Sequence, residues 1–429
     1  MSTTAISLPR LVKIRQTFPR PKVENIEAAM AGEMRKLLRA ADVGAGKTVG
    51  ITVGSRGVGN IVPMLRAAIA EVRNAGSRPV MLAAMGSHGG GTPEGQKELL
   101  DSLGITGEAL GAEILTCAEG REIGVTSRGL RAYMLDSAFG VDVIIPVNRV
   151  KTHTSFKGDI ESGMIKKLVV GLGGPQGARQ FHSQGKAADL PILLQDVGRL
   201  ILEKMPVIGG IGIVENAYEE TALIRAIPAG DLLREEAGLL RYSKELMPSL
   251  PATRLDALIV EEMGKNYSGT GIDINIVGRL YIQGEPEPQE PFIRYLAVLD
   301  LSGESHGNAC GVGLADFTTR RLVDKIDRKH TYLNSLTATF PKRAFIPVYL
   351  DTEKEIVETM FRCLSGSVPP EKVRLVVIPN TLFLAECYVT EALLEQFAGR
   401  EDIEIIGRPE PMTFTDAGEL RQRIGRALH

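Results

Sequence analysis

Histidines and a lysine pair stand out in the first half of the chain because their side chains suit proton transfer, metal binding or covalent attachment. The histidines are His88, His153 and His182, and the pair is Lys166-Lys167. Only six histidines occur in 429 residues, and these three lie in glycine-rich or polar segments after apolar runs. Histidine exchanges a proton near neutral pH and also binds metals. We therefore interpret this set as the chemical centre of the protein.

A recurring unit of apolar run, loop and helical pattern is expected to position these residues. The apolar runs lie at residues 49–53, 79–84 and 141–147. Arg56 follows the first run, His88 the second and His153 the third. This alternation indicates α/β structure with a mainly parallel sheet. Open α/β sheets bind ligands beyond the carboxyl ends of their strands, so we expect Arg56, His88 and His153 to converge there.

Helix boundaries can be predicted beside two of these positions. Thr92 and Pro93 are suitable for the N-cap and first position of a helix after His88. Residues 160–170 are expected to form a helix capped by Asp159 and ended by the glycines from 171 onward. Lys166 and Lys167 would lie about 100° apart on that helix, so at most one faces the strand ends. The alternative is that both lysines are solvated.

The loop that contains Ser55, Arg56 and Gly57 does not match either of two common nucleotide-binding motifs. Residues 44–48 resemble half of a P-loop but precede a strand, whereas a P-loop precedes a helix. The dinucleotide fingerprint lacks its third glycine, since Val62 occupies that position. Backbone amides at a helix start still favour an anion. We therefore expect Ser55, Arg56 and Gly57 to contact a phosphate or carboxylate of a cofactor or substrate.

In the order of Arg56, His88, His153, the lysine pair and His182, the chain resembles the lactate racemase family that uses a nickel-pincer nucleotide. The resemblance is strongest over residues 50–185. It implies that Lys166 is joined covalently to the pyridinium thioamide of the cofactor and that His182 ligates the nickel. It further implies that His88 and His153 act as acid and base, and that cofactor-synthesis proteins are partners.

These residue types suit racemisation or C2-epimerisation of a 2-hydroxy acid through a 2-keto acid. A base that takes the hydroxyl proton must work near neutral pH, as histidine does. Imidazole is also a suitable ligand for nickel. Arg56 could hold the substrate carboxylate by bidentate contact.

A polar, glycine-rich segment at residues 261–279 is the candidate substrate-recognition loop. Its candidate substrate-binding residues are Lys265, Asn266, Ser268, Asp273 and Asn275. The alternative is a loop whose polar groups cap its own turns. The Tyr-Gln pair and following lysine of lactate racemases are absent here, with Arg279 the nearest substitute, and residues 53–55 lack the aspartate of that family. These departures favour a polar or sugar-acid substrate over lactate.

The chain length predicts two α/β domains, each with a mainly parallel or mixed sheet flanked by helices. We expect a cofactor-binding and catalytic domain at residues 1–250, a second domain at 251–429 and the active site in the cleft between them. A net charge of -2 and 5% aromatic residues do not indicate a nucleic-acid partner. No apolar run has the length of a membrane span, and four widely separated cysteines fit a reduced, cytoplasmic protein.

A second function class stays open. A protein of the same fold without the pincer nucleotide would bind or process a phosphorylated or carboxylated metabolite. The same loop amides and Arg56 would serve that ligand.

Overall fold

The computed structural model describes residues 6–55, 57–182 and 189–425, without the side chains of His182 and Thr337. The chain divides into two compact units. Residues 19–247 form the N-terminal unit, and residues up to Phe18 together with those from Pro248 onward form the C-terminal unit. The first strand therefore belongs to the C-terminal unit. The predicted boundary at residue 250 would instead assign this strand to the N-terminal domain.

The apolar runs at residues 49–53, 79–84 and 141–147 form strands. In chain order the strands are β1 (Arg10–Gln16), β2 (Thr48–Val53), β3 (Arg78–Ala83), β4 (Glu113–Leu115), β5 (Gly120–Val125), β6 (Arg131–Leu135), β7 (Val143–Ile145), β8 (Val147–Arg149), β9 (Gly209–Glu215), β10 (Thr221–Pro228), β11 (Arg254–Val260), β12 (Phe292–Val298), β13 (Phe317–Thr319), β14 (Val348–Leu350), β15 (Leu375–Ile378), β16 (Glu386–Thr390) and β17 (Ile403–Pro411).

Helices lie between half of the consecutive strands of the described residues. They are α1 (Ile26–Ala40), α2 (Ile61–Asn74), α3 (Pro93–Ser102), α4 (Gly107–Leu110), α5 (Met164–Lys166), α6 (Gly174–His182), α7 (Leu190–Lys204), α8 (Leu232–Glu245), α9 (Ile274–Val277), α10 (Arg320–Asp324), α11 (Arg328–Thr337) and α12 (Glu353–Leu364). A π-helical segment, Lys167–Leu172, joins α5 towards α6. The predicted start of α3 is confirmed: the Thr92 side chain accepts a hydrogen bond from Gly95 N, and Pro93 occupies the first turn.

Parallel strands dominate the N-terminal unit. One sheet has the order β4-β3-β2-β7, and a second has the order β10-β9-β8. The sequence pattern predicts one strand over the apolar run at 141–147, but the run forms β7 and β8 with Pro146 between them. Proline has no N–H to donate to a ladder. The break lets β7 pair with β2 while β8 pairs with β9.

Alternation along β3 shows why this sheet is buried on both faces. Val80 and Leu82 belong to one hydrophobic core, whereas Met81 and Ala83 belong to another. Successive side chains of a strand point to opposite faces, so a continuously apolar run fits a strand covered on both sides.

The helix predicted at residues 160–170 begins later than expected. Ser162 forms an antiparallel bridge with Lys151, and Gly163 has an extended backbone with φ -177° and ψ -149°. Both features exclude helical geometry before Met164, so the predicted capping of this helix by Asp159 is wrong.

The C-terminal unit contains an eight-stranded mixed sheet with the order β14-β13-β12-β11-β15-β16-β1-β17. The strands β11 to β15 pair in parallel, whereas β1 is antiparallel to both β16 and β17. Helix α12 packs against this sheet through Ile356, Val357 and Met360. The predicted α/β class, with parallel and mixed sheets flanked by helices, is confirmed. Within the described residues, no helix combines the length and apolar character needed to cross a membrane.

Candidate active site at the carboxyl ends of the parallel strands

In the N-terminal unit, the carboxyl end of β2 lies beside that of β3 and next to the first residue of β8. Parallel pairing joins β2 to β3 and β8 to β9. Thr52 connects the two groups, since its Oγ1 accepts a hydrogen bond from Val147 N at 3.0 Å. The loops after β2 and β3 are therefore neighbours, and the convergence of His153 with them stays a prediction.

Ser55 and His88 meet beyond the ends of β2 and β3. A hydrogen bond joins Ser55 Oγ to His88 Nδ1. The His88 loop turns sharply because Gly86 and Gly89 have φ of +59° and +65°, and His88 N donates to Met85 O at 3.1 Å. The His88 side chain is exposed. A hydroxyl both donates and accepts, so Ser55 can keep its hydrogen bond to His88 in either tautomer of the imidazole.

Lys167 is the lysine of the pair whose ammonium lies beside the end of β2. A Cβ at Gly54 would overlap Lys167 Nζ, so glycine at this position leaves room for the ammonium. Lys167 is partly buried. Burial disfavours the charged form and lowers the pKa of Lys167 to about 8. The neighbouring Lys166 is also partly buried.

A buried carboxyl group holds the start of the helical segment that carries these lysines. Glu236 of α8 is 1% exposed, and its Oε2 accepts a hydrogen bond from Ile165 N at 2.9 Å. Burial raises the pKa of Glu236 to about 7, although hydrogen bonds from the backbone of Ile165 and Met164 oppose this shift. A Cβ at Gly163 would overlap the Glu236 carboxyl group. Sequence reasoning missed Glu236, because nothing in the local pattern of α8 distinguishes it from a surface glutamate.

His153 lies beyond β8 on a loop organised by Glu161. The Glu161 side chain is fully buried, and its Oε2 accepts a hydrogen bond from His153 N at 2.7 Å. His153 Nδ1 accepts a hydrogen bond from Ser155 N at 3.1 Å. The ring stacks on Phe156 with centroids 4.1 Å apart and planes at 22°. Backbone and ring are thus both held in one orientation.

Two charged residues near the loop after β2 are missed by the sequence pattern. Glu215, the last residue of β9, accepts a hydrogen bond from Gly59 N at 2.7 Å through Oε1. Its Oε2 pairs with Arg149, the last residue of β8. Their position at strand ends is the signal that could have identified them. The pair ties the loop after β2 to the neighbouring sheet.

The candidate substrate-binding residues of the C-terminal unit make hydrogen bonds close to their own loop. Lys265 Nζ donates to Gly269 O at 2.6 Å and also to Asn334 Oδ1. Asn266 Oδ1 accepts from Ser302 Oγ at 2.7 Å, and Ser268 Oγ lies 3.3 Å from Thr270 Oγ1.

The end of the same loop also has local partners. Asp273 caps α9 by accepting from Asn275 N at 2.8 Å. Arg279 is 8% exposed and pairs with Asp316 at 2.7 Å. Some of these contacts lie within the loop, as in the alternative of self-capped turns, whereas Lys265, Asn266 and Arg279 also bond to residues outside it.

Two predicted site residues lie wholly or partly outside the described residues. Arg56 is one, and the side chain of His182 is the other; the backbone of His182 ends α6. Their assigned contacts with a carboxylate and with nickel stay predictions. In the part of the chain that the structure describes, no group of three or more His, Cys, Asp or Glu residues could hold a metal ion.

No protein-family model matches the chain, and no curated protein sequence matches it significantly. The chain is similar to the solved structure of the lactate racemase apoprotein from Thermoanaerobacterium thermosaccharolyticum, with 11% identity and a TM-score of 0.48 over 86% of this chain and 94% of that chain. It is also similar to a crystal structure of a Thermotoga maritima protein, with 13% identity and a TM-score of 0.48 over 76% of this chain and 84% of that chain. Both similarities are distant and concern the fold.

Proposed function

We propose that the chain is a racemase or C2-epimerase of a 2-hydroxy acid that works with a nickel-pincer nucleotide. The observation that carries this proposal is the position of the Lys167 ammonium beside Gly54, at the same strand end as the Ser55–His88 pair. A lysine of lowered pKa suits covalent attachment because the neutral amine is the nucleophile. Such a cofactor, held by the lysine and by His182, would supply reversible hydride exchange with C2 of the substrate.

The described residues fit such a group. The Lys167 amine, with its pKa lowered to about 8, supports an attachment point beside Gly54. The loop after β2 is held by Glu215 through Gly59 N. We propose Lys167, in preference to Lys166, as the attached lysine, with His182 as the nickel ligand. Ser55, Arg56 and Gly57 belong to the loop that would contact the cofactor or the substrate carboxylate.

His88 is proposed to exchange the proton of the substrate hydroxyl. An imidazole does this near neutral pH without a large shift of its pKa. Ser55 orients the ring through Nδ1 and can follow a change of protonation by turning its hydroxyl group. His153 is the second histidine of the site.

The substrate is proposed only as a 2-hydroxy acid. The sequence favours a polar or sugar acid because residues 261–279 offer many polar groups. In the structure, Lys265, Asn266 and Ser268 make hydrogen bonds close to that loop, so these contacts do not select among 2-hydroxy acids. A cytoplasmic location stays a prediction.

The proposal is tested by producing the protein together with cofactor-synthesis proteins and measuring intact mass, nickel content and the modified peptide. We expect an adduct on Lys167 that is lost in Lys167→Arg and kept in the matched control Lys166→Arg. Absence of any adduct and of nickel from the wild type would overturn the proposal. An adduct confined to Lys166 would overturn the assignment of Lys167 alone.

Turnover is then measured on single stereoisomers of 2-hydroxy acids and aldonates with chiral analysis. We expect His88→Ala to abolish interconversion while nickel remains bound. Activity equal to that of the wild type would remove His88 from the reaction.

A further inference from the structure

His153 is held in a way that determines which of its ring nitrogens carries the proton. Ser155 N lies 3.1 Å from His153 Nδ1 and donates to it. A backbone N–H can only donate, so Nδ1 must offer a lone pair. A neutral imidazole whose Nδ1 accepts carries its proton on Nε2.

Protonation of His153 would disrupt this contact. An imidazolium carries a hydrogen on both ring nitrogens, so Nδ1–H would face Ser155 N–H. The ring also cannot turn away freely, because it stacks on Phe156, which is 3% exposed. Phe156 is itself packed edge-on against Phe181, with centroids 6.2 Å apart.

The backbone of the loop that carries His153 is held by hydrogen bonds to the charged side chain of Glu161. Glu161 accepts hydrogen bonds from His153 N at 2.7 Å and from Gly158 N at 3.4 Å, so it holds both ends of the loop. Lys244 of α8 neutralises Glu161 at 2.8 Å. Lys157 lies 3.7 Å from Glu161 and donates to His153 O at 3.2 Å. The turn that aims Ser155 N at Nδ1 is therefore anchored to the interior of the unit.

We propose that His153 acts as a neutral hydrogen-bond donor, through Nε2–H, to an oxygen of the substrate, and that it does not exchange a proton during the reaction. This inference rests on the proposed function, and it makes the two histidines unequal. His88 faces a hydroxyl group that can reverse its hydrogen bond, whereas His153 faces an amide that cannot. Ser155 is a positioning residue that acts through its backbone N–H.

A neutral imidazole is a reasonable catalytic donor. It can stabilise negative charge that develops on a substrate oxygen, as preorganised donors do in other active sites. The Glu161, Ser155 and Phe156 contacts supply the preorganisation, because they hold the ring before substrate binds.

The tautomer is measured directly by NMR on the apoprotein labelled with ¹⁵N-histidine, using two-bond correlations of the imidazole ring near neutral pH. We expect His153 to show an unprotonated Nδ1 and a protonated Nε2, with its signals identified by their loss in His153→Gln. A wild-type His153 that is charged, or protonated on Nδ1, overturns the inference.

A matched pair of variants tests the role of the Ser155 amide. Ser155→Ala keeps the backbone N–H and should preserve the tautomer. Ser155→Pro removes the N–H and should give a mixture of tautomers. An unchanged Nε2–H tautomer in a folded Ser155→Pro protein would show that another contact sets it. These readouts need no cofactor, so they succeed or fail independently of the adduct on Lys167.

Kinetics of the loaded enzyme separates a donor from a base. A glutamine amide can replace an imidazole N–H donor but not a base. We therefore expect His153→Gln to keep turnover within about 100-fold of the wild type, whereas His88→Gln loses about 10³-fold or more. Equal and complete loss in both variants would return His153 to a proton-exchanging role.

Discussion

At the scale of single residues, the environment of Lys167 sets the reactivity of its amine. With its pKa lowered from 10.5 to about 8, roughly 10% of the amine is neutral at pH 7, about 300 times the fraction of an ordinary lysine. Gly54 makes this placement possible, since any larger residue there would occupy the position of the ammonium. The neutral fraction is the one that forms covalent bonds.

Gly54→Ala is expected to displace the Lys167 amine and to change its acylation rate by about tenfold, because its desolvation depends on the present position. In the wild type, the rate of Lys167 acylation should rise with pH, and the midpoint of this rise should lie near pH 8. Peptide mass spectrometry after pulse labelling measures both quantities.

The matched control is Gly57→Ala. Among the described residues, no atom lies within 4 Å of a Cβ at position 57. In this variant, Lys167 should be acylated at the same rate as in the wild type. If Gly54→Ala also labels unchanged, the proposed contact between Gly54 and Lys167 is wrong.

At the scale of elements, the helical segment from Met164 to His182 contacts the buried Glu236 at its first turn and the end of β3 at its middle. Glu236 holds its first turn through Ile165 N. At its middle, Gly171 approaches Ala84 O so closely that a Cβ would lie 2.8 Å from that oxygen. These contacts fix the position of the segment along its axis and its rotation about that axis. They therefore decide which lysine faces the strand ends.

Glu236→Gln should change how stability depends on pH. The folded-state pKa of Glu236, about 7, lies above its ordinary value of 4.5. The folded state therefore binds the extra proton, and the wild type loses stability as pH rises from about 4.5 through 7. Glutamine cannot ionise. The free energy of unfolding of the variant should therefore rise relative to that of the wild type by about 3 kcal/mol between about pH 5 and about pH 8.

Denaturant unfolding at both pH values measures this difference. Glu235→Gln on the exposed side of α8 is the control, since Glu235 is partly exposed and pairs with Arg234. A pH-independent difference between Glu236→Gln and the wild type would show that Glu236 does not titrate in this range.

At the scale of the whole molecule, the first strand of the chain belongs to the C-terminal unit. Strand β1 pairs with β16 on one side and β17 on the other. It is an internal strand, and within the described residues β17 is joined to the rest of the sheet through β1 alone. Leu11 and Ile14 of β1 are buried.

Removal of residues 1–18 is expected to destabilise the C-terminal unit and to spare the N-terminal unit. The cut deletes both ladders of β1 and exposes the edges of β16 and β17. Hydrogen exchange should show lost protection in β16 and β17 with unchanged protection in β2 and β3. A peptide of residues 6–18 added in trans should restore it. Protection of β17 in the truncated protein without the peptide would contradict this view of the sheet.

The placement of candidate residues after strands could be predicted from the sequence because the signals are local. A strand and the loop after it are adjacent in the chain, so the apolar runs alone assign His88 and His153 to strand ends. The cap at Thr92 depends on the backbone of Gly95, three residues away. Interactions over such short distances leave a readable pattern.

The tertiary structure decided the rest, because it depends on residues far apart in the chain. The sequence determined that one lysine of the pair could face the strand ends, but packing against Gly54 placed the Lys167 ammonium there. Likewise, the pattern placed His153 after a strand, whereas the folded loop and Glu161 set its orientation and tautomer. Periodicity reports which face of an element is buried; desolvation and hydrogen bonding depend on what another part of the chain brings to that face.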